Sequence, residues 1–281
     1  MVVSIIGIGL IGGSLALGLR ETGLAHHIIG LDHSPQNLAQ ALALGLINEP
    51  ADNLPEAVGR ADLVVVAVPM DAMLTVLPQV LDVATDRQVV IDVGSTKELL
   101  LRQVADHANR ARFVAVHPMA GTEHSGPEAA VPKLFEGKTL VVCDAAASAP
   151  DALARVEAVF GRLAMQLTYM SAAAHDLHAA YVSHISHISS FALALTVLQK
   201  EQSEQQIFAL ASGGFESTVR LAKSSPAMWV PIFRQNRDNV LDVVDEHLRQ
   251  LQHLRDLLAD GNDAGLYEQI EQANRIRKIL K

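Results

Sequence analysis

Two hydrophobic patterns divide the chain. Up to about residue 170, short, almost wholly apolar runs rich in β-branched residues recur at 2–6, 28–31, 63–68, 89–93, 113–116 and 140–142. Near-continuous runs of this length fit strands buried on both faces of a parallel sheet. Helical patterns fall between them, at 14–22, at 72–83, from 97 onward and at 150–163, and one more strand is expected at 166–169. Strand and helix in alternation predict a doubly wound α/β layer structure.

Beyond residue 170 only helical periodicity remains. Residues 172–198 are mostly apolar and free of Pro and Gly, and from Leu177 to Gln199 there is no Asp, Glu, Lys or Arg. This predicts one long buried helix. It is long enough for a membrane span. Its middle, however, carries Ser183, His184, Ser186, His187, Ser189 and Ser190, which lipid does not solvate. A soluble core helix is therefore expected, with His184 and His187 on one face beside Ser183.

After a polar stretch and a short helix, Ser224-Ser225-Pro226 predicts a helix start with proline in the first turn. Pro231 should kink that helix, and Val240, Val244, Leu248, Leu251, Leu254 and Leu258 continue it at three-to-four spacing. Unbroken to Leu258, it would measure about 50 Å at 1.5 Å per residue. One small lobe cannot cover that, so an interlocked homodimer is expected, a solvated extension being the alternative. A last helix is expected at 266–280. The boundary between the two parts is placed near residue 170, giving domains at 1–170 and 171–281.

The remaining composition narrows the class. The chain has 281 residues and a net charge of −9, with no basic run, which argues against nucleic acid or an anionic membrane as partner. Cys143 is the single cysteine, so no internal disulfide forms and a reducing compartment is expected. A strand pattern beginning at Val2 leaves no room for a signal peptide. The expectation is a cytoplasmic protein.

Candidate chemistry sits at the ends of the predicted strands. The first runs into Gly7-Ile8-Gly9-Leu10-Ile11-Gly12-Gly13. There Gly7 permits a tight turn, Gly9 lets backbone approach a pyrophosphate and Gly12 lets helix and strand pack closely. Leu10 and Ile11 open a helix whose N-terminus faces phosphate. The second strand ends in Asp32, twenty residues after Gly12, where a carboxylate takes ribose hydroxyls. No Arg or Lys follows in His33-Ser34-Pro35-Gln36-Asn37 to hold a 2′-phosphate, which favours NAD over NADP. Pro69 starts a loop placed to flank the nucleotide.

Two further strand ends stay open between readings. In Asp92-Val93-Gly94-Ser95-Thr96-Lys97-Glu98, Ser95 and Glu98 fit a capping box, a site role, or both. His117 is held extended by Pro118, which puts an imidazole at a strand tip, either as a general base or as a hydrogen-bonding cap on the sheet. Arg220 follows a glycine pair that would present it; alone it also fits a solvated residue.

Taken together, GIGLIGGS, DVGSTK, HPMAGTEHSG, VSHISH and SGGFESTVRLAKSSPAMW, in this order and at these separations, resemble the prephenate/arogenate dehydrogenase family of tyrosine biosynthesis, in its monofunctional form. The resemblance implies a Rossmann domain followed by an all-helical domain that binds substrate and dimerises. It implies oxidative decarboxylation of prephenate to 4-hydroxyphenylpyruvate with NAD. It assigns His117 to the substrate hydroxyl, with Ser95 orienting it, and Arg220 to the ring carboxylate. Ser183, His184 and His187 would line the pocket, together with Thr122 and Glu123 of the HPMAGTEHSG loop. Ser217 departs from the family, where an acidic residue is common three positions before the arginine.

Arogenate remains the alternative substrate, with Glu123 as a carboxylate for its ammonium and His187 as a donor for prephenate's keto group. Three other readings fit the sequence less well. A two-domain hydroxyacid dehydrogenase usually needs a lysine in the long helix, and 172–198 has none. A metal site could use the pairs His175/His178 and His184/His187 with His117 or His124, but carboxylates are sparse there and no metal is expected. A non-catalytic NAD-binding dimer would leave the polar set without a use.

Overall fold

The computed structural model describes residues 1–204 and 206–279. Its first part runs β1 (Val2–Ile6), α1 (Leu10–Glu21), β2 (His27–Leu31), α2 (Pro35–Ala43), β3 (Glu49–Pro50), α3 (Leu54–Gly59), β4 (Leu63–Val66), α4 (Met70–Val83), β5 (Val89–Asp92), α5 (Glu98–Gln103), β6 (Phe113–Pro118), β7 (Thr139–Cys143), α6 (Pro150–Arg162) and β8 (Gln166–Met170). The strands form one sheet in the order β3-β2-β1-β4-β5-β6-β7-β8. Strand order therefore reverses between β1 and β4, where such sheets bind ligands beyond their carboxyl ends.

The sheet departs from the expected all-parallel form at one place: β6 and β7 pair antiparallel, with His117 opposite Val141, while β7 and β8 pair parallel. An apolar run buried on both faces reads the same in either direction, so the pattern at 139–143 carries no sign of its sense. On one face Leu15, Leu19, Val156 and Phe160 cover Val3, Ile5, Val65 and Ile91. On the other Met73, Leu77 and Leu100 cover Val64, Val66 and Val90. This two-sided burial fixes where each strand ends, and the site is built at those ends.

The helical part comprises α7 (Ala172–Ala179), α8 (Ile185–Glu201), α9 (Gly213–Val219), α10 (Pro226–Gln235), α11 (Arg237–Ala259) and α12 (Asp263–Ala273). A π-helical turn over Ala180–His184 joins α7 to α8, so helical backbone does run through 172–198. Most of it is not buried, however. In its most apolar stretch 11% is buried, and Val182, Leu195 and Leu198 stand exposed. Apolar composition records that a face needs covering, but not that the cover comes from the same chain.

The helix expected to reach Leu258 instead breaks at Asn236, whose φ of −107° and ψ of 30° leave the helical region. Pro231 sits inside α10. The last helix begins at Asp263, where Asn262 accepts from the Gly265 N–H, and passes into a tighter turn over Asn274–Lys278; Leu280, expected to end it, lies outside the described residues.

Two divisions of the chain follow. The change from sheet to helix comes at residues 170–171, and the compact units divide after Asn236, into Met1–Asn236 and Arg237–Lys281. All the candidate site residues belong to the first unit. In the second, α11 and α12 form a helical pair.

Candidate active site

The nucleotide cradle begins where β1 ends. Gly7 adopts φ +95°, and a Cβ there would lie 2.6 Å from the Ala67 carbonyl oxygen, so only glycine fits. A Cβ at Gly12 would lie 2.2 Å from the Gly7 carbonyl oxygen, whereas one at Gly9 would meet nothing within 4 Å. Gly9 therefore borders open space at the N-terminus of α1, as a phosphate-binding turn requires. Leu10 and Ile11 form the half-buried first turn.

Asp32, at the end of β2, accepts from the Ile8 N–H at 2.9 Å through Oδ2, and from Ser34 N–H and the Asn37 amide through Oδ1. One lone pair of Oδ2 is left for a ribose hydroxyl. Pro69 is exposed and begins α4. These residues fit a dinucleotide, and among the described residues the one ion-pair partner of Asp32 is the exposed His33.

The ends of β5 and β6 carry the buried polar groups. Asp92 and Lys97 form a fully buried ion pair, and the same carboxylate oxygen accepts from the Gly94 N–H at 2.8 Å. The expected Ser95–Glu98 capping box is absent: α5 begins after Lys97, without a side-chain cap of its own. Asp176, from α7, accepts instead from the Lys97 and Glu98 N–H groups, at 2.8 and 2.9 Å. Ser95 lies half-buried on the loop between β5 and α5.

His117 lies next to the last residue of β6. Its Nδ1 is 2.8 Å from Nε2 of His175, whose Nδ1 is 2.7 Å from Asp176 Oδ1. Ser171 caps α7 and so fixes His175 and Asp176 one turn in. Asn236 closes the group, donating to the Asp176 carbonyl at 2.7 Å and to Nδ1 of His184 at 3.2 Å.

The electrostatics favour the neutral form of His117, His184 and His187. Burial first, then His175, Lys97 and His184, push His117 well below the usual imidazole range. Burial likewise lowers His184 to about 4, against an opposing pull from Asp176. His184 meets Trp229 edge-on at 5.9 Å, and His187 stacks on the same indole at 3.5 Å. His187 donates from Nδ1 to the Ser183 carbonyl, 3.1 Å away. Burial lowers its pKa, with Arg220 acting in the same direction.

Arg220 pairs with Glu123 at 2.9 Å. Several of the expected residues thus lie within electrostatic reach of one another: His184 acts on His117 and Arg220 on His187, and Arg220 holds Glu123. Thr122, beside Glu123, accepts from the His124 N–H. Ser217 bonds back to the Gly214 carbonyl.

Sequence reasoning gave no part in this assembly to His175, Asp176, Asn236 or Trp229. Asp92 and Lys97 stood in a segment it singled out, without a role. Asp176 meets its partners 78 and 79 residues away, and no local spacing signals such a contact. The one available hint was a His-Asp pair one helical turn after the capping Ser171. Among the described residues, no group of three or more His, Cys, Asp or Glu is placed to hold a metal ion.

A dinucleotide cradle at the sheet's switch point, with a neutral imidazole at the end of a nearby strand, defines an NAD-dependent dehydrogenase. The family models for the prephenate dehydrogenase nucleotide-binding domain and for its dimerization domain match residues 15–169 and 171–272. The chain is 31% identical to a prephenate dehydrogenase of Bacillus subtilis, over 98% of this chain and 74% of that protein. It is 29% identical to a cyclohexadienyl dehydrogenase of Zymomonas mobilis, over 99% and 96%. The crystal structure of an Aquifex aeolicus prephenate dehydrogenase with hydroxyphenyl propionate and NAD+ superposes with a TM-score of 0.91 at 30% identity, covering 100% of this chain and 98% of that one. The chain belongs to the prephenate dehydrogenase family.

Proposed function

We propose that the protein oxidatively decarboxylates prephenate to 4-hydroxyphenylpyruvate with NAD, as a cytoplasmic homodimer in tyrosine biosynthesis. On this reading residues 1–170 hold the nucleotide, through Gly7, Gly9, Leu10, Ile11, Gly12, Asp32 and Pro69. Residues 171–281 supply the substrate pocket and the subunit contact. The observation that carries the proposal is the half-buried His117 at the end of β6, its pKa held by burial well below the usual imidazole range, with His184 close enough to act on it electrostatically and Arg220 on His187.

When bound, NAD supplies the hydride acceptor for the ring carbon that bears the hydroxyl. His117 takes the hydroxyl proton as that hydride leaves, and Ser95 orients the same hydroxyl. The resulting dienone loses its ring carboxylate as CO2. The electron pair of the broken C–C bond enters the ring, and the former carbonyl oxygen takes up a proton to become the phenol. Arg220 holds the carboxylate through charge-assisted hydrogen bonds, and the helical face of Ser183, His184 and His187 closes the pocket with Thr122 and Glu123.

His187 bears on the choice of side chain. With its Nδ1–H given to Ser183, a neutral ring offers Nε2 as an acceptor, which suits arogenate's ammonium; donation to prephenate's keto group needs the protonated ring. The test is kcat/KM for prephenate and arogenate with NAD, measured across pH. Prephenate turnover at a ratio that rises as pH falls is expected. No turnover of prephenate at any pH would overturn the proposal. The dimer is supported by the exposed Leu195 and Leu198; Leu195→Glu should give monomers in light scattering.

A further inference from the structure

The reaction needs His117 to have its lone pair on the nitrogen that meets substrate, and an isolated imidazole does not hold one tautomer. The surroundings of His117 include a buried pair with no part in the steps above. Asp176 receives three N–H donors: the backbone of Lys97 and Glu98, and Nδ1 of His175. A carboxylate only accepts, so Nδ1 of His175 must carry its proton. In a neutral ring Nε2 of His175 then has the lone pair, and at 2.8 Å it accepts from Nδ1 of His117. That leaves Nε2 of His117, which makes no hydrogen bond among the described residues, as the accepting atom.

We infer that His175 and Asp176 are a positioning pair that holds His117 with its proton on Nδ1 and its base lone pair on Nε2. The inference rests on reading His117 as the base, and adds what makes it one.

The geometry is over-determined. His175 and Asp176 are each 2% exposed, and Asn236 ties down the Asp176 carbonyl. The rings of His117 and His175 meet edge-on, with centroids 5.0 Å apart. The charged and titratable groups acting on His117 are His175, Lys97 and His184, with Asp92 behind Lys97 and Asp176 behind His175. Once His117 has gained the hydroxyl proton, its Nδ1–H still points along the chain toward Asp176. The carboxylate therefore stabilises the cation without itself moving a proton, as in other carboxylate-oriented histidine bases.

Two measurements test this. In the full-length protein labelled with nitrogen-15 histidine, NMR at neutral pH should place the His117 proton on Nδ1; a proton on Nε2 would overturn the inference whatever the activity. In steady-state kinetics, His175→Leu should lower kcat roughly 10- to 100-fold with KM for substrate and NAD within about twofold, and move the acid limb of the kcat profile to lower pH. His175→Gln, whose carbonyl can accept from His117, should recover most of the loss. Unchanged turnover in His175→Leu, an unmoved acid limb, or no recovery with Gln would each overturn it. The tautomer is read on the unsubstituted protein, so a folding defect in His175→Leu does not shield the inference. It is also read without turnover, which separates it from failure of the base assignment.

Discussion

Two ion pairs in the first unit hold charge in opposite ways. Lys97 and Asp92 are wholly buried, and the same aspartate braces the backbone at Gly94. Arg220 and Glu123 meet at 2.9 Å, but the arginine side chain is 51% exposed. Desolvation makes the first pair costly to break, while water screens the second until little is lost when its partners separate. The difference separates scaffold from recognition. The buried charge is sealed beneath the strand ends, and the rim pair is free to exchange partners, as the proposed capture of a substrate carboxylate by Arg220 requires.

The most severe way to break the contrast is Lys97→Met. It leaves Asp92 buried without its cation and should cost about 3–5 kcal/mol of stability, read from urea unfolding; a loss no greater than that of Glu123→Gln would erase the distinction. Next comes His117→Asn, which should cut kcat by about 10² or more with KM little changed. Full turnover would remove the base from the mechanism.

Arg220→Ala acts on the rim, and should raise KM for prephenate roughly tenfold or more while leaving unfolding stability within about 0.5 kcal/mol. A large loss of stability instead would mean that the exposed pair is structural.

The last effect is a pH slope. His184 has a folded pKa of about 4 against 6.5 for the free group, so its contribution is complete above 6.5. As pH falls, the unfolded chain takes up the proton first, and stability drops by up to about 1.4 kcal/mol per unit down to the folded pKa. Urea unfolding at pH 7 and pH 5 should show this drop, and His184→Asn should flatten it.

Much of the sheet was legible because its signals are local. Val2–Ile6 is followed at once by its glycine turn, and Asp32 stands where a ribose carboxylate belongs. The two residues of β3 were too short to register, and the direction of β7 left no trace in an apolar run. Among the site residues, those at strand tips or on one helix face could be proposed from spacing. The groups that fix His117 could not. His175 reaches it across 58 residues, and Asp176 caps a helix formed far earlier in the chain, at the point where Ser95 and Glu98 offered one of two readings as a capping box. The exposed face of α8 shows the same limit in another form, since its sequence asked for cover that one chain does not provide.

The π-helical turn at Ala180–His184 amounts to one surplus residue wound into a continuous rod. Removing that residue would straighten the coil and swing α7 by about 100° relative to α8. His175 and Asp176 would rotate away from the sheet while His187 kept its place beside Trp229. The alignment of the two histidine sets is therefore a matter of phase, and a single-codon deletion there would uncouple them without touching either set.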